Sequence, residues 1–229
     1  MALPADHVLR RHVELANPIR EDQPLMQTTL VPNLLKALMA NRRRGDQGAR
    51  LFELGRGFFP AGGESTGSKA WKDIKRPGRH MTERAQQEES RPMERHWLSM
   101  AIDQPYAHKG WQGSNRAADF FDAKQIVIDL FESLNITSWR LTPADPEEYS
   151  FLNPNRSASC LVGPACAGFL GELHPKVATQ FGFEAGTAPL VIELDIERLF
   201  EFRTRKRSYQ TFLRRFPPVT RDLAFMVDE

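Results

Sequence analysis

The runs RSASCLVG and CAGFLGEL, beginning at Arg156 and Cys166, carry strand character, and Gly163-Pro164 stands between them as a turn signal. A connection that short joins antiparallel neighbours, because a parallel pair needs a crossover of about a dozen residues. The period of two recurs in ARLFELGRGFF, RHWLSMAID and APLVIELDI. In the second of these Leu98, Met100 and Ile102 share a face, and in the third Leu190, Ile192 and Leu194 do. In the first, Phe52, Leu54 and Phe58 share a face with Arg56, while Glu53, Gly55 and Gly57 lie opposite, so Glu53 and Arg56 are not a simple pair. An arginine among large apolar side chains points to a structural ion pair or an edge position.

Helical periodicity is confined to a few segments. VPNLLKALMANRRR sets Leu34, Leu35, Leu38 and Met39 on one stripe, with Pro32 in the first turn and Arg42, Arg43 and Arg44 at the negative end before Gly45. DFFDAKQIVIDLFESL puts Ala123, Ile126, Val127, Leu130 and Leu134 on one face, and Asp122 with Gln125 fits a capping box. A short helix begins near Pro175 and ends at Gly182, with His174 closing the strand before it. Strands and helices do not alternate regularly as in a doubly wound sheet. The class is therefore α+β, an antiparallel sheet with flanking helices.

Catalytic signatures are missing. There is no glycine-rich phosphate loop followed by lysine, no His-Glu-x-x-His, no Cys-x-x-Cys and no Gly-x-Ser-x-Gly. Glu172 and His174 share a strand face, yet a third metal ligand is not near them in sequence. Cys160 and Cys166 flank the turn: a three-residue loop would set them opposite each other, and a two-residue loop would point them to different faces. Lys and Arg number 31 against 29 Asp and Glu, so a nucleic-acid surface would have to be local, built from Arg42, Arg43 and Arg44 with Arg203, Arg205, Lys206, Arg207, Arg214 and Arg215. No stretch approaches the roughly 18 apolar residues of a membrane span, and the start lacks the apolar core of a signal peptide, which predicts a cytoplasmic protein without membrane contact. The region 60–94 is polar and aperiodic, a long loop or partly disordered insertion. After Pro217-Pro218, Leu223, Phe225 and Val227 alternate as in a strand, which needs neighbours that the chain does not supply.

In order, VELANPIREDQPLMQTTLVPNLL, RLFELGRGF, DFFDAKQIV, NRSASCLVG, GELHP, IELDIERL and FPPVTRDLAFMVDE resemble the β-subunit family of bacterial phenylalanyl-tRNA synthetases, in its C-terminal half. The matching positions include Asn17, Pro18, Pro32, Phe52, Glu53, Gly55, Arg56, Phe120, Phe121, Arg156, Gly171, Glu172, His174, Pro175, Arg221 and Asp222. Gln27 stands where an arginine is expected, and Asn153 and Asn155 lie where a His-Pro-Gly-Arg run is common.

The resemblance implies a fold like that of class II aminoacyl-tRNA synthetases. It divides the chain into a lead-in at 1–12, a catalytic-like domain at 13–202 carrying the 60–94 insertion, a basic linker at 203–215, and at 216–229 the first strand of a truncated ferredoxin-like anticodon-binding domain. It also implies that this module has lost catalysis and supports the α subunit in an α2β2 enzyme, with a second β subunit and tRNA(Phe) as further partners. No catalytic, cofactor or metal residue is then expected in the chain, and ATP with Mg²⁺ belongs to the parent complex. Phe52–Arg56 falls where a phosphate-holding motif would lie, and IELDIERLF contains Arg198 but lacks the glycines of the second motif. A tRNA-binding module using Arg42, Arg43, Arg44, Arg205, Lys206 and Arg207 is the alternative, and a free-standing enzyme acting on a small carboxylic acid is a third.

Overall fold

The computed structural model of the chain describes residues 3, 7–19, 21, 23–46, 48–60, 92–104, 116–204 and 221–226. Six strands form one sheet: β1 (Arg50–Phe59), β2 (Met93–Ile102), β3 (Trp139–Pro143), β4 (Leu152–Val162), β5 (Ala165–Leu173) and β6 (Leu190–Asp195). Their order is β1-β2-β6-β5-β4-β3, and every neighbouring pair is antiparallel. The α+β class read from the sequence is the class observed.

Helices cover both faces. On one, α1 (Val31–Arg43) lays Val31, Leu34, Leu35 and Leu38 against Ala101, Val191, Phe169 and Leu173, joined by Val177 and Ala178 of α3 (Pro175–Phe181). On the other, α2 (Phe120–Ser133) buries Ala123, Val127 and Phe131 against Ala158, Cys160, Leu170, Ile192 and Leu194, with Leu199 of α4 (Ile196–Glu201) beside them. The alternation of β2 and β6 sorts their side chains between these two cores: Leu98 faces Leu194 and Met100 faces Ile192, while Ala101 pairs with Val191 on the opposite side.

Several expectations are corrected in detail. The cap of α2 is Asp119, three residues before the expected Asp122: its carboxylate accepts from the backbone of Phe121 and Asp122, and Asp122 accepts in return from the Asp119 N–H at 2.9 Å. Two aspartates at that spacing can each begin a helix. The earlier one wins because Asp122 closes the box and is forked by Arg116 at 2.7 and 2.6 Å, while Phe120 packs on the core. Strand β2 begins at Met93, so Met93 and Glu94 belong to the sheet and not to the 60–94 loop; 61–91 lie outside the described residues. β3 carried no sequence signal of its own. Val162 pairs with Ala165, leaving the two-residue turn Gly163-Pro164, with Gly163 at φ 56°. The two cysteines therefore face opposite sides: Cys160 joins the α2 core, and the Cys166 Sγ lies 3.9 Å from the Tyr149 hydroxyl. Residues 221–226 form no strand ladder among the described residues, and Leu223, Phe225 and Met226 are exposed.

Phe131 is wholly buried between α2 and the sheet, its ring 5.7 Å from that of Trp139. Phe131→Ala is expected to cost about 3–5 kcal/mol of stability, read as a lowered urea midpoint at unchanged slope.

Candidate functional site

The centre of the molecule is a carboxylate. Glu193 lies on β6 among apolar residues, 1% exposed, on the face opposite Ile192 and Leu194. Its register partner on β2 is Ser99, whose hydroxyl donates to Glu193 Oε1 at 2.6 Å. From the other side the Thr29 hydroxyl lies 3.0 and 2.7 Å from the two oxygens, and the Leu30 N–H donates at 2.9 Å. Leu30 is the N-cap residue of α1 and has no side chain able to cap it. Glu193 supplies from the sheet the acceptor for the N-cap N–H that a Glu or Gln three residues into the helix supplies in a capping box, at the positive end of the helix. Burial pushes the Glu193 pKa up, and the hydrogen bonds from Ser99, Leu30 and Thr29 oppose that rise.

The approach of Thr28–Leu30 depends on the two glycines of β1. A Cβ on Gly57 would meet the Thr28 carbonyl oxygen at 2.7 Å and collide with the Trp97 indole; one on Gly55 would press on both Leu30 methyls at 3.0 Å. Gln27 then completes the edge: its carbonyl accepts from the Phe58 N–H at 2.8 Å and its amide donates to the Arg56 carbonyl at 3.1 Å. Its amide oxygen accepts from Asn33 at 2.8 Å. The β1 face carrying Gly55 and Gly57 is thus covered by the chain's own residues 27–30. On the other face Arg56 pairs with Glu94 at 3.1 Å on the edge strand, and Phe52 and Leu54 stand 69% and 64% exposed.

A second group of charges joins β2 to the start of α4. Asp195 caps that helix, accepting from the Arg198 N–H at 3.0 Å, and its other oxygen lies 3.5 Å from Arg95. Glu197 accepts from the His96 backbone N–H at 3.2 Å and meets the His96 Nδ1 at 2.6 Å. Burial pushes Asp195 up to about 6, and the neighbouring Glu197 adds to the rise.

Residues 2–196 match the family model described as the phenylalanyl tRNA synthetase beta chain CLM domain. The chain belongs to this family. Among curated relatives, the phenylalanine–tRNA ligase beta subunit of Syntrophus aciditrophicus is 30% identical over 229 residues, covering 100% of this chain and 25% of that protein. That of Moorella thermoacetica is 33% identical, with 99% and 24% covered. The chain thus spans about a quarter of the length of these relatives. Among solved structures, pyrrolysyl-tRNA synthetase from Desulfitobacterium hafniense superposes with a TM-score of 0.52 at 14% identity, covering 88% of this chain and 56% of that one. A second structure from that organism, PylSc, gives 0.50 at 12% identity, with 86% and 59% covered. The fold is that of the class II synthetases.

The residues that carried the resemblance to the phenylalanyl-tRNA synthetase β chain are dispersed. Asn17 and Pro18 lie between the two ends of the Glu14–Leu25 bridge, with Ile19 fully exposed beside them. Pro32 opens α1. Glu53, half-buried, lies opposite Ser99 on β2. Phe120 packs inward while Phe121 is exposed, their rings 5.8 Å apart. Gly171 permits contact with β4, since a Cβ there would meet Ser157 Cβ at 2.7 Å. Glu172 accepts from Arg156 at 2.7 Å and Asn153 at 3.2 Å, and His174 Nδ1 caps α3 from the Lys176 N–H, with Pro175 as its first residue. Arg221 and Asp222 are exposed.

Of the basic candidates, Arg42 is held by Asp103 through two 2.7 Å bonds and stacks 5.2 Å over Phe183. It is a structural residue, because Asp103 is 1% exposed and needs a cation. Arg43 and Arg44 are exposed; Arg205, Lys206 and Arg207 lie outside the described residues. Glu193 and Ser99 were not singled out from the sequence, although an acid flanked by apolar residues inside LVIELDI was a visible signal.

Glu193→Ala leaves the Leu30 N–H and two hydroxyls without their acceptor. It is expected to lose about 2–4 kcal/mol of stability, with hydrogen-exchange protection falling first at Leu30. For Asp195 the folded pKa near 6 lies above the unfolded carboxyl value, so its contribution is fully present below about pH 4 and is lost as pH rises through 6. Asp195→Asn keeps an N-cap and is expected to flatten the pH 4–6 limb of the stability profile, whose size is on the order of 2–3 kcal/mol.

Proposed function

We propose that the chain is a non-catalytic structural module of a phenylalanyl-tRNA synthetase β subunit, packing against the catalytic α subunit of an α2β2 enzyme. That enzyme activates phenylalanine with ATP and Mg²⁺ and esterifies it to tRNA(Phe). The observation carrying this reading is that both regions corresponding to nucleotide-holding motifs are turned to internal use. One face of the first is covered by residues 27–30, and the second spends Glu193 on the start of α1 and Asp195 on the cap of α4. Phosphate binding needs fixed cations directed outward. Here Arg56 is paired with Glu94, and Arg95 lies beside Asp195.

The module then contributes form: a class II fold whose exposed apolar residues, Ile19, Phe52, Leu54 and Phe121, suit a subunit interface. A second β subunit completes the assembly, and residues 216–229 open the anticodon-binding domain. No helix among the described residues is long and apolar enough to cross a membrane, which accords with a place in the cytoplasm beside the other translation enzymes. A tRNA-binding role is less well supported, because Arg42 is committed to Asp103.

Light scattering of the chain mixed with the α subunit of the same synthetase is expected to give a single heavier complex. Pyrophosphate exchange is expected to be absent from the chain alone. ATP binding by the isolated chain at micromolar affinity would overturn the reading.

A further inference from the structure

A cavity of about 310 Å³ opens between the start of α1, α3 and the short helical turn Val8–Arg10. Among the described residues, nine of the eleven that line it are apolar, including Leu9, Val31, Leu35, Phe151, Val177 and Phe181, so its interior offers dispersion contact and little hydrogen bonding. One of the two polar members, Thr29, already directs its hydroxyl to Glu193. The other, Arg10, is the exposed member of the lining, and therefore marks the solvent end. One of its guanidinium nitrogens donates to the Leu3 carbonyl at 3.0 Å, which holds the fork at the rim, and a guanidinium carries further N–H groups.

We propose that this cavity binds a small apolar monocarboxylate, its hydrocarbon body inside and its carboxylate on Arg10. The volume lies at the lower end for small-molecule sites. An apolar cavity of about 150 Å³ holds one benzene, so a body of about eight carbons fits here. The apolar interior excludes a polar body, and the Arg10 cation at the mouth selects an anionic head. Because Thr29 and Val31 line the site, an occupant braces the start of α1 where Glu193 holds it.

The test is calorimetric titration of the 229-residue chain with octanoate and, as an uncharged probe of equal length, 1-octanol. Octanoate is expected to bind one to one below about 1 mM. Arg10→Gln, a surface change, is expected to weaken octanoate by about fivefold or more while leaving octanol within about twofold. Val177→Trp fills the cavity and is expected to abolish binding of both. Absence of saturable octanoate binding overturns the proposal, as does equal binding of the two probes with no effect of Arg10→Gln. Binding by the chain that disappears in the assembled synthetase overturns it too, since the occupant would then be polypeptide.

Discussion

One buried carboxylate sets the relation between the sheet and the helix that covers it. Glu193 stands on β6, next to the middle of the six-stranded sheet, and meets β2 through Ser99 and the entry to α1 through Thr29 and Leu30. Desolvating that group is costly, and only a complete set of donors offsets the cost. The donors come from two stretches of chain, the entry to α1 and β2, and the acceptor from a third. The charge is satisfied only when all three are in place, so Glu193 rewards one arrangement of α1 on the sheet and penalises others.

The glycines of β1 belong to the same arrangement. Without side chains at Gly55 and Gly57, residues 27–30 lie directly on the strand, where Gln27 satisfies backbone groups at Arg56 and Phe58. Glycine costs conformational entropy in a strand, and here that cost permits backbone contact. The class II sheet is present, and one face of its first strand is closed by the chain that leads into α1.

Local patterns carried much of this architecture. The Gly163-Pro164 hairpin, the apolar stripe of α1 and the alternation in β2 and β6 follow from nearest-neighbour chemistry and were legible directly. What was not legible depends on partners distant in sequence. The cap of α2 was misplaced by three residues because Asp119 and Asp122 are locally equivalent, and packing of Phe120 and Phe131 decides between them. Arg42 read as one of three equal arginines at a helix end, whereas Asp103, 61 residues away, removes it from that set. Glu193 was visible as an oddity, but its donors Thr29 and Ser99 are 164 and 94 residues distant, beyond any periodicity.

The grip of Asp103 on Arg42 has a mechanical meaning. α1 is fixed at its first turn by a carboxylate from β6 and at its last by a carboxylate just beyond β2. A helix clamped at both ends is a beam and not a lever: it does not pivot about either end. Load applied to its outward residues, such as Lys36 and Ala40, passes into two strands that neighbour each other in the sheet. A partner pressing there would bend the sheet as one body.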